Sequence, residues 1–204
     1  MSFIDAVRSE LGETQWQKLD DNIIRRFSAN KTKSRLRYIG VVDWIYCSPI
    51  GALIARVIQG FAILPKQCAR DTRFEFVIDE QGEQILKRRS YYINQEHTPF
   101  VFDSSFATSP SLNEEFRGGL GMYLKLQTKR GSLLFSDRGY FIRIGKWRLP
   151  IPRWCSVGKF ELLHRSIDLT RFQILIRIAH PLFGTLFYQR GEFMKIPLTI
   201  KRDY

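Results

Sequence analysis

The chain has 204 residues, of which 44% are hydrophobic, 25% charged and 14% aromatic. That excludes a disordered polypeptide, which is poorer in apolar and aromatic groups, and leaves length enough for one sizeable core. Lys and Arg number 32 against 20 Asp and Glu, a formal net charge of +12 with an isoelectric point near 9.9, so the partners favoured by the field are anionic: nucleic acid, an anionic lipid surface or an acidic protein.

The opening MSFIDAVRSELGETQWQKL carries acids and glutamines where a signal peptide would need a basic start and an apolar run, so a cytoplasmic protein is expected. Apolar positions Phe3, Val7 and Leu11, then Trp16, Leu19, Ile23, Ile24 and Phe27, recur every three or four residues. The spacing predicts two short helices broken near Gly12, the first capped by Ser2. Ser28 to Tyr38 is polar, basic and aperiodic, which reads as a linker or basic arm. The organisation expected is therefore an N-terminal helical segment and basic linker over 1–33, followed by a single α+β sheet domain over 34–204.

Ile50, Leu53, Ile54, Val57, Ile58 and Phe61 fall at helical spacing between Ser48-Pro49 and Pro65, which predicts a helix packed across the open face of a sheet. The stretch Ile50 to Leu64 is interrupted by Arg56 and Gln59 and is shorter than the about 20 residues that span a bilayer, so no transmembrane anchor is expected. Beyond Pro65 the period is two. Phe74, Phe76 and Ile78 turn through Glu80-Gln81-Gly82-Glu83 into Ile85, Lys87, Arg89, Tyr91 and Ile93, a hairpin. Pro99 to Thr108 is a further strand, as is the alternation Leu120, Met122, Leu124, Leu126.

Lys129-Arg130-Gly131 and Asp137-Arg138-Gly139 read as turns bracketing Ser132 to Ser136, with Tyr140 to Trp147 following. The two prolines of Leu149 to Trp154 confine that run to an edge or linker. Phe160 to Leu169 adds a strand, and Phe172, Ile174, Ile176 and Ile178 pair through His180-Pro181 and Gly184 with Leu186 to Arg190. The fold class expected is α+β: a curved antiparallel sheet or half-barrel of about eight strands with the N-terminal helices packed on it.

Several of these phrases together resemble one bacterial family, domain-of-unknown-function family 4166, found alone or fused C-terminal to reductases similar to saccharopine dehydrogenase. They are the stretch Tyr38 to Pro65, Lys87-Arg88-Arg89-Ser90-Tyr91, Phe116-Arg117-Gly118-Gly119-Leu120, Leu149 to Trp154 and His180 to Phe193. The resemblance brings no activity with it. The fusion implies a separately encoded reductase-like partner, since no GxGxxG follows a strand here.

Chemical signatures are sparse. The three cysteines, Cys47, Cys68 and Cys155, lack CxxC or Cys/His spacing, so no zinc site or disulfide framework is indicated and reduced, mostly buried thiols are expected. His97, His164 and His180 have no metal-ligand spacing; His164 and Asp168 would stand about 13 Å apart on a strand, and His180 reads as a turn residue. Glu114 and Glu115 are adjacent and read as a solvated loop. Neither a cofactor motif nor a catalytic residue is assigned.

Arginines set among Phe, Tyr and Ile are more informative, because a guanidinium on a concave apolar face calls for a carboxylate or phosphate partner. Arg89, Arg117, Arg177, Tyr188 and Arg190 are the candidate ligand-binding residues. The functional expectation is non-enzymatic binding of a hydrophobic or amphipathic anionic ligand, such as a lipid-like molecule, inside the curved sheet. The alternatives are a basic adaptor for a reductase, peripheral membrane contact, and weak nucleic-acid binding, the last disfavoured for want of an RNP-like, KH or helix-turn-helix signature.

Overall fold

The computed structural model describes residues 3–28, 35–58, 65, 67–81, 84–107 and 111–196. Eleven strands occur in the order β6-β5-β4-β3-β2-β1-β11-β10-β9-β7-β8, and β6 also pairs with β7, so ten of them close into an antiparallel ring with β8 attached outside. The strands are β1 (Arg35–Cys47), β2 (Ala69–Gln81), β3 (Gln84–Tyr92), β4 (Phe100–Ala107), β5 (Asn113–Phe116), β6 (Leu120–Lys129), β7 (Ser132–Ile144), β8 (Trp147–Ile151), β9 (Lys159–Ser166), β10 (Arg171–His180) and β11 (Gly184–Ile196).

The expected half-barrel of about eight strands is therefore corrected to a closed, mostly β barrel. Closure leaves no open face and no long unpaired edge, which is how an all-antiparallel sheet of this size protects its backbone groups. Two strands hid from the pattern. β1 is apolar on both faces and shifts register between Val42 and Trp44, which places Asp43 out of step and hides the period of two. β5 has only four residues, with Asn113, Glu114 and Phe116 all buried. Asp137-Arg138-Gly139 is not a turn either: β7 runs through it, bending where its register with β6 shifts beside Leu124. The double-proline run behaves as read, since β8 pairs only with β7.

Inward and outward residues alternate along every strand. Pairing carries the inward set around the ring: Phe76 stands opposite Arg89 and Arg89 opposite Phe102, Glu114 is opposite Met122 and Met122 opposite Tyr140, and Phe172 is opposite Phe193. Gly40 lies across from Phe193 and Phe74. A side chain there would collide with the Glu192 carbonyl and the Phe193 ring, so glycine lets β1 and β11 close over that ring.

One mouth is plugged by α1 (Phe3–Leu11), α2 (Glu13–Trp16) and α3 (Asp21–Ser28). Three helices stand where two were expected; Ser2 lies outside the described residues. Ile4, Val7, Leu11, Trp16, Leu19 and Ile23 join Leu124, Leu126 and Leu133 in one core. Thr128 on β6 donates its hydroxyl to the Gln15 carbonyl at 2.8 Å, and Asp20 N donates to Gly131 O at 2.8 Å, which pins the plug to the β6–β7 turn. At the other end, α4 (Pro49–Val57) starts where Ser48 Oγ accepts from Gly51 N at 3.0 Å. Positions 59–64 of the expected helix lie outside the described residues. Because the barrel is closed, α4 does not cross a sheet face; it buries Gly51 and Ala55 and leaves Leu53 and Val57 in solvent. Cys68 and Cys155 are exposed and Cys47 half-buried, which corrects the expectation of mostly buried thiols.

Candidate functional site

The inward stripe of β3, namely Ile85, Lys87, Arg89 and Tyr91, carries two cations into an apolar interior. They meet Glu114 from β5: Arg89 Nη2 donates to its Oε1 at 2.6 Å and Lys87 Nζ stands 3.8 Å from its Oε2. Ser104 on β4 donates to Glu114 Oε1 at 2.6 Å and accepts from Arg89 Nη1 at 2.8 Å. Phenyl rings sheathe the group, with Lys87 Nζ 3.8 Å from the Phe106 centroid and the Arg89 guanidinium about 5 Å from those of Phe76 and Phe102.

Burial pushes the Lys87 ammonium down to about 8, partly offset by the Glu114 charge. For Glu114 burial acts upward, yet the charges of Arg89 and Lys87 with the hydrogen bonds of Ser104 and Arg89 outweigh it and hold the carboxyl at about 2. Tyr91 hydroxyl donates to Gln189 Oε1 at 2.8 Å, and burial pushes it up to about 12.

Next to this group lies a cavity of about 120 Å³ walled by Tyr38, Phe76, Leu162, Phe172, Ile174 and Phe193 among others. Its titratable lining comprises Arg26, Lys87, Arg89, Glu114, His164 and the two tyrosines, so three permanent or near-permanent cations face one carboxylate. A second void of about 50 Å³ shares Arg89, Tyr91, Glu114, Leu162 and Ile176 with the first and reaches Ile58 after α4. The two stand on either side of the Arg89–Glu114 pair along the barrel.

The plug supplies the remaining cation. Arg26 of α3 donates from Nη2 to the carbonyls of Asp168 at 2.7 Å and Arg171 at 3.0 Å, and its Nη1 lies 3.2 Å from His164 Nε2. Burial, then the Arg26 charge, hold His164 down at about 3, so the imidazole is neutral and accepts from Arg26. Arg26 Nε is buried with no hydrogen-bond partner, and the guanidinium lies 4.8 Å from the Phe172 centroid.

Of the arginines and tyrosine singled out from sequence, the fold brings only Arg89 to the cavity. Arg117 sits in the β5–β6 connection on an open outer groove of about 610 Å³, where Arg88 pairs with Asp103 and Arg143 with Glu115. Arg177 is exposed near Thr185, Tyr188 packs 5.8 Å from Trp44 on the outer surface, and Arg190 pairs with Asp43 at 3.2 Å. His180, expected in the turn, is instead the last residue of β10, opposite Gly184, and its Nδ1 accepts from Leu182 N in the turn at 3.2 Å. Glu114, Lys87, Tyr91, Gln189, Arg26 and His164 were not singled out as ligand contacts. The period of two on β3 already placed Lys87 with Arg89, whereas Glu114 was hidden by the shortness of β5.

Among the described residues, no three His, Cys, Asp or Glu side chains come together as metal ligands. A family model described as Domain of unknown function (DUF4166) matches residues 19–193. No curated protein matches the chain.

Proposed function

We propose a ligand-binding role for this chain, which belongs to the DUF4166 family. The barrel takes up a small apolar molecule bearing one acidic group, and the observation that carries this reading is the charge of the cavity wall: three cations against one carboxylate, set among aromatic and aliphatic side chains. A buried surplus of positive charge is costly when nothing answers it, and a carboxylate or phosphate entering the cavity relieves that cost. Arg89 and Arg26 approach the cavity from opposite sides, so the acidic group has donors within the barrel while the apolar body lies on Phe76, Phe172 and Ile174.

Volume limits the ligand. A dry cavity of about 150 Å³ holds benzene, so about 120 Å³ takes a single ring or a short alkyl segment. A longer chain reaches the second void only if Leu162 and Ile176, which line both, change rotamer. A bacterial, cytoplasmic setting and a reductase-like partner belong to this proposal too: a module that holds a small acidic amphiphile suits an enzyme that reduces one. Thermal shift with alkyl and phenyl-substituted carboxylates and phosphates of increasing length tests the ligand class. Saturable stabilisation that Arg89→Met abolishes is expected, and the absence of a shift across the series would overturn the reading.

A further inference from the structure

We propose that the end of the barrel opposite the helical plug docks on an anionic lipid bilayer. The inference stands on the outer surface and does not rest on the cavity. Antiparallel pairing puts five connections at this end: β1–β2 with α4, β3–β4, β5–β6, β7–β8–β9 and β10–β11. They adjoin one another. Ser48 N, before α4, donates to Leu186 O on β11 at 2.9 Å, and Gly158, before β9, lies against the Ala179 carbonyl at the end of β10.

Seven large hydrophobic side chains among the described residues are more than half exposed. Six of them belong to this end: Leu53 and Val57 on α4, Ile144 and Trp147 on the β7–β8 hairpin, Trp154 before β9, and Leu182 in the β10–β11 turn. Leu169, the seventh, is at the plugged end. Trp154 and Leu182 are each 78% exposed, so these groups project from turns instead of lining a groove. Projecting tryptophans and aliphatic tips suit insertion at the headgroup level, where an indole has both an apolar body and a polar N–H to satisfy.

Charge selects the occupant. The stretches 44–70, 138–160 and 169–191, which build three of these connections and the strands leading into them, hold none of the 20 acidic residues and 12 of the 32 basic ones; the acids Asp71 and Glu96 stand apart from them, grouped with Arg73 and His97 beside the β3–β4 connection. Lys146, beside Trp147, and Arg56, on α4, carry no ion pair among the described residues, whereas Arg143 and Arg148 face Glu115. A surface of apolar tips among unopposed cations complements a bilayer that carries anionic headgroups. No helix among the described residues is long and apolar enough to cross a membrane; the attachment proposed is by the tips of these connections alone.

Vesicle flotation tests it, with phosphatidylcholine alone and with roughly 30% phosphatidylglycerol, alongside tryptophan emission. We expect at least about tenfold greater partition onto the anionic vesicles, a blue shift on binding, and weakening by salt. Trp154→Ala with Leu182→Ala lowers partition about tenfold or more, while Leu169→Ala leaves it unchanged. No partition onto anionic vesicles would overturn the proposal, as would partition that ignores the Trp154 and Leu182 changes or that Leu169→Ala reduces equally. A concentration-dependent dimer lost in the double variant, with no vesicle binding, would overturn it in favour of a second copy of the chain.

Discussion

Glu114 Oε1 and Arg89 Nη2 meet at 2.6 Å inside the barrel, joined from opposite sides of β4. With Lys87 they form a buried group of two cations and one anion, and the stability of the interior depends on the anion. Glu114→Ala would leave both cations uncompensated, a change that typically costs about 3–5 kcal/mol. Replacing all three by apolar residues, as Lys87→Leu, Arg89→Met and Glu114→Leu, removes the desolvation along with the attraction. Urea unfolding should therefore find the triple variant more stable than Glu114→Ala alone.

Acid should destabilise the protein in two stages. His164 titrates at about 3 in the fold against 6.5 ordinarily, so the unfolded chain takes up the proton first; its contribution is complete above pH 6.5 and is lost as pH falls toward 3. Glu114 is at about 2 against 4.5, so its contribution is complete above pH 4.5 and lost below. Between pH 6.5 and 4.5 the loss belongs to His164 and amounts to roughly 2–3 kcal/mol. Unfolding midpoints measured across that interval should flatten in His164→Gln, which can still accept from Arg26.

On the alkaline side stability first goes on rising with pH. Lys87 is at about 8 in the fold against 10.5, so the unfolded chain holds its proton longer and stability rises from pH 8 toward 10. Tyr91, at about 12 against 10.0, then reverses the trend, because the folded state keeps a proton that the unfolded state has released. A stability maximum near pH 10 is expected in urea titrations, and Lys87→Met should remove the rise that precedes it.

Gly40→Ala tests the closure. The added methyl meets the Glu192 carbonyl, which is backbone and cannot swing aside. Overpacking of this kind costs about 1–3 kcal/mol or more. Amide exchange should quicken first in β1 and β11, whose ladder runs from Arg37–Ile196 to Cys47–Phe187.

Strand periodicity in the sequence located β2, β3, β4, β6, β9, β10 and β11 and put Arg89 on an inward face, because a half-buried strand writes its burial as an alternation. It did not reveal closure. That depends on β6 meeting β7 on one side and β1 meeting β2 and β11 on the others, and β1 is apolar on both faces. Arg177, Tyr188 and Arg190 looked like cavity residues because they sit among apolar neighbours. The inward positions of β11 are instead Phe187, Gln189, Gly191 and Phe193, so Tyr188 and Arg190 face outward. Glu114 could not be read as buried without knowing that Arg89 and Lys87 face it from two strands away.

Native mass spectrometry of the protein purified from cells, compared with Leu162→Phe, reads out directly whether the cavity holds a ligand. Leu162 lines both voids, so a bulkier phenyl ring there takes up ligand space while leaving the residues of the Lys87–Arg89–Glu114 group unchanged. A bound acidic amphiphile is expected in the natural chain, released on unfolding and absent from a folded Leu162→Phe protein. A natural chain that carries no adduct and takes up none of the added carboxylates or phosphates would contradict it.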